Sequence, residues 1–178
     1  QSRPSVQQCV GAHRGPAAVP GVPVLRRACV RSFALLRPLL SWASFPLLSP
    51  RVAEATRRIH AATSKATGDD FFRALVRAMA EVLGTRFAFA GEVNPETGEV
   101  VAVAMWDGQG FVDGFRYELE HTPCASVVRG EYCQYPTGVQ QAFPRDDLLV
   151  DMGIEAYFGV PIRGRDDSPL GLLVALHD

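Results

Sequence analysis

Apolar positions in this chain follow two different periods, and the switch between them marks out the fold. Over residues 69–83, Phe72, Leu75, Val76, Met79 and Leu83 recur at spacings of three and four, which aligns them on one face of a helix. Asp69 and Asp70 place carboxylates in its first turn, and Gly84 is suited to end it. From residue 86 the period falls to two. Phe87, Phe89, Gly91 and Val93 share one side of a strand over residues 86–93. The turn formers Asn94-Pro95-Glu96-Thr97-Gly98 then lead into a second strand over 100–106, predicting an antiparallel hairpin. Asp107-Gly108-Gln109-Gly110 makes another turn before a third strand over 115–119. Thr122 reads as an N-cap with Pro123 in the first helical position, and Arg129-Gly130 closes that short helix. A brief strand over 132–135 and an irregular segment opened by Pro136 and Gly138 come next. A short helix over 146–152 and two β-rich segments, 156–162 and 170–176, complete the pattern. The order predicts an α+β domain, with a central antiparallel sheet flanked by helices.

Upstream of residue 69 the pattern weakens. Residues 51–65 are rich in Ala, Arg and Glu without Pro or Gly, predicting a connector helix within residues 51–68. Residues 1–50 show no period. They contain six Arg, seven of the 13 Pro and no acidic residue, and read as a disordered leader or as spurious upstream text. The bias of 17 Arg to one Lys suits GC-rich coding DNA. Beyond residue 50, twelve bases face nineteen acids, a net charge of −7 that repels phosphate backbones and argues against nucleic acid as a partner. The apolar stretch 33–48 is interrupted by Arg37, Pro38 and Pro46 and falls short of the roughly twenty residues a membrane helix needs, so no membrane insertion is expected. Four cysteines without a C-x-x-C pair indicate free thiols and a cytoplasmic protein.

Four segments in order then carry a family likeness. Tyr117-Glu118-Leu119-Glu120-His121-Thr122-Pro123-Cys124 is followed by Tyr135-Pro136-Thr137-Gly138-Val139 with Phe143-Pro144-Arg145-Asp146. Gly153-Ile154-Glu155-Ala156-Tyr157-Phe158-Gly159-Val160-Pro161 and Pro169-Leu170-Gly171-Leu172-Leu173-Val174 complete the set. Together they resemble the GAF family, of the type found in bacterial sensor histidine kinases and cyclic-di-nucleotide signalling proteins. The resemblance covers residues 69–178 and implies a sensory module of a two-component or related signal-transduction chain. It also implies a homodimer formed through flanking helices and a ligand cavity between the sheet and the short helices. His121 stands where the family has Gly, and Ser168 where the last hairpin often has Gly. The helix that normally follows the final strand is missing, so the domain is expected to be truncated before it.

No residue is expected to be catalytic, no metal site is expected, and the sequence names no cofactor. Met105, Cys124, Val128, Tyr135 and Tyr157 are the expected ligand-binding residues, drawn from an aromatic set that otherwise packs as core. Cys124 invites other readings. At the second position of a helix its thiolate would be favoured by the helix dipole, and Cys133 lies nine residues on, across Gly130. The alternative function is therefore a thiol redox sensor, or an enzyme resembling the free methionine-(R)-sulfoxide reductases, using Cys124 and Cys133. A covalent bilin is disfavoured because Ala125 follows Cys124 where such domains usually have His. His121 lacks partners at metal-ligand spacing, and Asp146-Asp147 and Asp166-Asp167 read as caps and solvated turns rather than acid–base pairs.

Overall fold

A computed structural model describes residues 8–11, 49–94, 96–166 and 168–178. Helix α1 (Pro50–Thr63) begins where Ser49 accepts a hydrogen bond from the Val52 amide through its Oγ, and none of its residues is buried. It packs on α2 (Asp69–Leu83), which has the limits its apolar period predicts. Gly84 ends α2 in the left-handed conformation at φ 67°, its amide bonded to the Ala80 carbonyl.

Six strands follow within the predicted order: β2 (Phe87–Val93), β3 (Glu99–Trp106), β4 (Arg116–Glu118), β5 (Glu131–Tyr135), β6 (Ala156–Arg163) and β7 (Pro169–His177). Between them lie the short helices α3 (Cys124–Val128), α4 (Val139–Ala142) and α5 (Asp147–Asp151). The segment after Pro136, expected to be irregular, thus holds one helical turn. Upstream, residues of the supposed leader supply β1 (Gln8–Gly11), which pairs with β5 so that Cys9 stands opposite Cys133. Four residues are too few to show a period, so no sequence pattern announces that strand. The rest of the first 48 residues, including the apolar stretch 33–48, lies outside the described residues. Among the described residues the sheet runs β1-β5-β6-β7-β2-β3-β4, antiparallel at every pairing.

Two cores result, one on each face. On the first, Val76, Met79 and Ala80 of α2 meet Ala88, Ala90, Ala104 and Ala175. These alanines let the helix sit low on the sheet, while Leu83, expected on the apolar face, is 51% exposed in the last turn. On the second face Phe87, Phe89, Tyr157, Leu172, Val174 and Leu176 pack against Cys124, Val127, Val139, Leu149 and Ile154 from the short helices and their connections. A bulge joins the two. Ala104 pairs with Ala90 and Ala102 with Gly91, leaving Val103 unmatched. One extra residue reverses the side on which each side chain emerges. Val100 and Met105 therefore share the second core although their numbers differ in parity. Strands β2 and β7 approach closely at Gly171, where a Cβ would lie 2.2 Å from the Gly91 carbonyl oxygen.

Among the described residues no helix is long and apolar enough to cross a membrane.

Candidate functional site

The second core is not completely filled. Between β2, β4, β6 and β7 on one side and the starts of α3 and α5 on the other lies a cavity of about 30 Å³, enough for one or two water molecules. Phe89, Phe115, Leu149, Met152 and Leu176 give it apolar walls, and Tyr117, Cys124, Asp146 and Tyr157 bring polar groups into its lining.

Each polar group is placed by local structure. Tyr117 sits on β4, whose alternation turns Phe115, Tyr117 and Leu119 toward the core. Phe89 braces this edge, meeting Phe115 and Tyr117 edge-to-face at 5.7 and 5.9 Å. After β4 the chain reverses through His121, held at φ 67°, a conformation in which Gly is the usual residue and His is tolerated at a cost. The Thr122 hydroxyl donates to the Leu119 carbonyl at 2.8 Å, so it does not cap α3 as the sequence suggests. Cys124 is accordingly the first residue of the helix rather than the second. Asp146 precedes α5 as its N-cap residue, 7% exposed.

These groups form a buried cluster. The Cys124 sulfur lies 3.2 Å from the Tyr157 hydroxyl. Burial pushes the Cys124 thiol up to about 11, against smaller opposing contributions from its hydroxyl neighbours. The helix dipole expected to favour a thiolate is overridden: α3 is one turn long and the sulfur is shut away from water. Burial also holds the phenols of Tyr117 and Tyr157 well above the ordinary tyrosine range. The Asp146 carboxyl is raised as well, first by burial and secondarily by Asp147, while the Leu149 and Leu148 amides pull the other way. Tyr117 stands apart: its hydroxyl is buried with the Cys124 sulfur as its hydrogen-bonding neighbour, a weak partner, and makes no hydrogen bond of normal geometry. A phenol left so is costly, by about 1–3 kcal/mol.

Of the five expected ligand-binding residues, Cys124 and Tyr157 line the cavity and touch each other. Met105 is sealed in the core at 3% exposure, Val128 packs against the same core, and Tyr135 stacks edge-to-face on Phe143 at 5.4 Å. None of those three lines the cavity. The sequence reading missed Tyr117 and Asp146, although both stand in the quoted motifs and the alternation of β4 already turned Tyr117 inward. The Cys124–Cys133 pairing needs correction too. Cys124 is a free thiol, whereas Cys133, expected to be free, is fully buried and disulfide-bonded. His121 pairs with its neighbour Glu120 at 3.0 Å, and no group of three metal-ligating side chains occurs among the described residues. Asp166 accepts hydrogen bonds from the amide and hydroxyl of Ser168 in a solvent-exposed turn.

An antiparallel sheet with a long helix on one face and a small cavity under short helices on the other defines an α+β domain with an internal pocket. Residues 67–178 match the model of the GAF domain family, and the chain belongs to it. Solved structures agree on the fold. The GAF domain of an Acinetobacter phosphoenolpyruvate-protein phosphotransferase is 14% identical with a TM-score of 0.53, the match covering 73% of this chain and 78% of that one. Its counterpart from Coxiella burnetii is 17% identical at a TM-score of 0.54, covering 71% and 77%. A phycocyanobilin-bound GAF domain from a cyanobacterial phytochrome is 17% identical at 0.52, covering 70% and 79%. No curated protein matches the chain.

Proposed function

We propose that this GAF domain is a sensory module without catalytic activity, which binds a small molecule in the Tyr117–Cys124–Asp146–Tyr157 pocket and reports it through α1 and α2. The observation that carries this reading is the pocket's unfinished chemistry: a buried phenol with no well-formed hydrogen bond, only the weak Cys124 sulfur for a neighbour, beside a buried carboxyl. Asp146 has a structural use as the N-cap residue of α5, but the Tyr117 hydroxyl gains little from being buried there, whereas a ligand that pairs with it would recover its lost hydrogen bond. The domain acts as part of a cytoplasmic bacterial signalling protein of the sensor-kinase or cyclic-di-nucleotide kind, as a homodimer through its flanking helices. Binding shifts the balance between two arrangements of those helices, by no more than the ligand's differential affinity for them. The phycocyanobilin in the cyanobacterial neighbour lends the pocket reading support by likeness of fold. A covalent bilin is a poor fit here, since Cys124 is buried and the cavity is small.

The buried, protonated Cys124 and the engaged Cys133 speak for sensing rather than for thiol redox chemistry. A metabolite screen by thermal shift tests the proposal. A ligand present at a hundred times its Kd raises stability by about 2.7 kcal/mol, a shift of several degrees, and should change spin-label distances across the α1 pair. A screen in which no metabolite moves the melting temperature removes the sensory reading.

A further inference from the structure

The polar end of the pocket also determines what charge a ligand can carry. Four lining groups offer hydrogen bonds, and none is a cation: among the described residues no Lys, Arg or His lines the cavity. The one ionisable acid, Asp146, has another carboxylate beside it in Asp147, and no basic group contributes to its titration. Arg145 precedes it in the chain but is exposed and lies outside the lining. The Tyr117 hydroxyl has a proton to donate and no oxygen or nitrogen acceptor, only the weak Cys124 sulfur. Around these groups Phe89, Phe115, Leu149 and Met152 form a wall suited to an apolar ring.

Resting on the pocket reading above, we propose that this site selects neutral or cationic ligands that pair a nitrogen-borne hydrogen-bond donor with an apolar ring, and rejects anions such as nucleotides and carboxylates. The donor goes to the Asp146 carboxyl. An acceptor on the same ligand, where there is one, takes the Tyr117 proton. An anion entering this cavity loses its hydration, finds no positive partner and faces a carboxyl, and so is excluded. The cavity of about 30 Å³ is too small for a ring as it stands. The roof formed by α5 and its C-cap residue, which supplies Leu148, Leu149 and Met152, is the part that must move outward to admit it.

Benzamide, benzylammonium and benzoate share a ring and differ in charge, and titrating each into the full chain while following amide NMR signals tests the selection. Benzamide and benzylammonium should shift the signals of residues 117, 124, 146 and 157, with benzoate about tenfold weaker or more. Tyr117→Phe should weaken benzamide by about tenfold at most and leave benzylammonium nearly unchanged. Asp146→Asn should weaken benzylammonium about tenfold and bring benzoate closer to the other two. Melting curves establish that each variant is folded, and if Asp146→Asn does not fold, the Tyr117→Phe contrast and the wild-type series still decide. Benzoate binding as tightly as benzamide, or a metabolite screen that finds an anion seated in this pocket, overturns the charge selection and leaves the pocket reading standing. Silence from all three probes together with an empty metabolite screen overturns both.

Discussion

Cys124 and Asp146 are two buried groups whose chemistry is set by surroundings rather than by type. With its thiol near 11 and 4% of its surface exposed, Cys124 is protonated at neutral pH and unreachable. Iodoacetamide at pH 7.5 should therefore leave Cys124 unmodified in the native protein and label it once denaturant is added, as located by peptide mass spectrometry. Rapid native labelling of that residue contradicts the buried-thiol assignment. Asp146 makes a prediction with a definite sign. Its carboxyl has a higher pKa folded than its ordinary value of 3.8, so the folded state holds the proton more tightly. The stability this confers is complete below the unfolded pKa and is lost as pH rises through the folded one. Asn stays neutral throughout. The melting-temperature difference, Asp146→Asn minus wild type, should thus grow more positive between pH 3.5 and pH 7, and a flat or falling difference would contradict the burial of this acid.

Among the elements, the close approach of β7 to β2 is the most exacting contact. A methyl group at residue 171 meets the Gly91 carbonyl oxygen, a backbone atom that cannot swing aside. Gly171→Ala should destabilise by about 2–3 kcal/mol, as overpacking in a fixed core does. Gly84→Ala, which only forces a left-handed cap on a residue with a Cβ and meets nothing in space, should cost about 1 kcal/mol. Denaturant titration of both variants measures the order, and a larger loss at residue 84 would show that the β2–β7 register is looser than described. Helix α2 was legible from its period because a single stripe of side chains meets a sheet. Helix α4 was not, since four residues cannot display a 3.6-residue repeat.

For the molecule as a whole, α1 stands outside both cores. It buries none of its own residues and is tied to α2 in part by the Arg58–Glu81 contact at 3.8 Å between exposed side chains. Such a pair contributes little, about 0–1 kcal/mol. Deleting residues 49–63 from the chain should leave the melting temperature of the remaining domain nearly unchanged and reduce self-association in sedimentation-velocity runs. A large fall in melting temperature would instead make α1 part of the fold rather than a connector. The pairing of Gln8–Gly11 with β5 likewise extends the sheet beyond the stretch in which a pattern is visible.

The sequence by itself determined the strands and, α4 apart, the helices over residues 69–178, with the antiparallel sheet and the family likeness. Those follow from local periodicity, turn chemistry and motif order, which lie along the chain. Only the tertiary structure decided which residues make the pocket. Tyr117, Cys124 and Tyr157 come from three elements and Asp146 from the N-cap of a fourth, up to forty positions apart, and the bulge opposite Ala90 and Gly91 determines how β3 divides its side chains between the two cores. Distance through space and burial set the state of each proton there, and neither quantity is written in residue order.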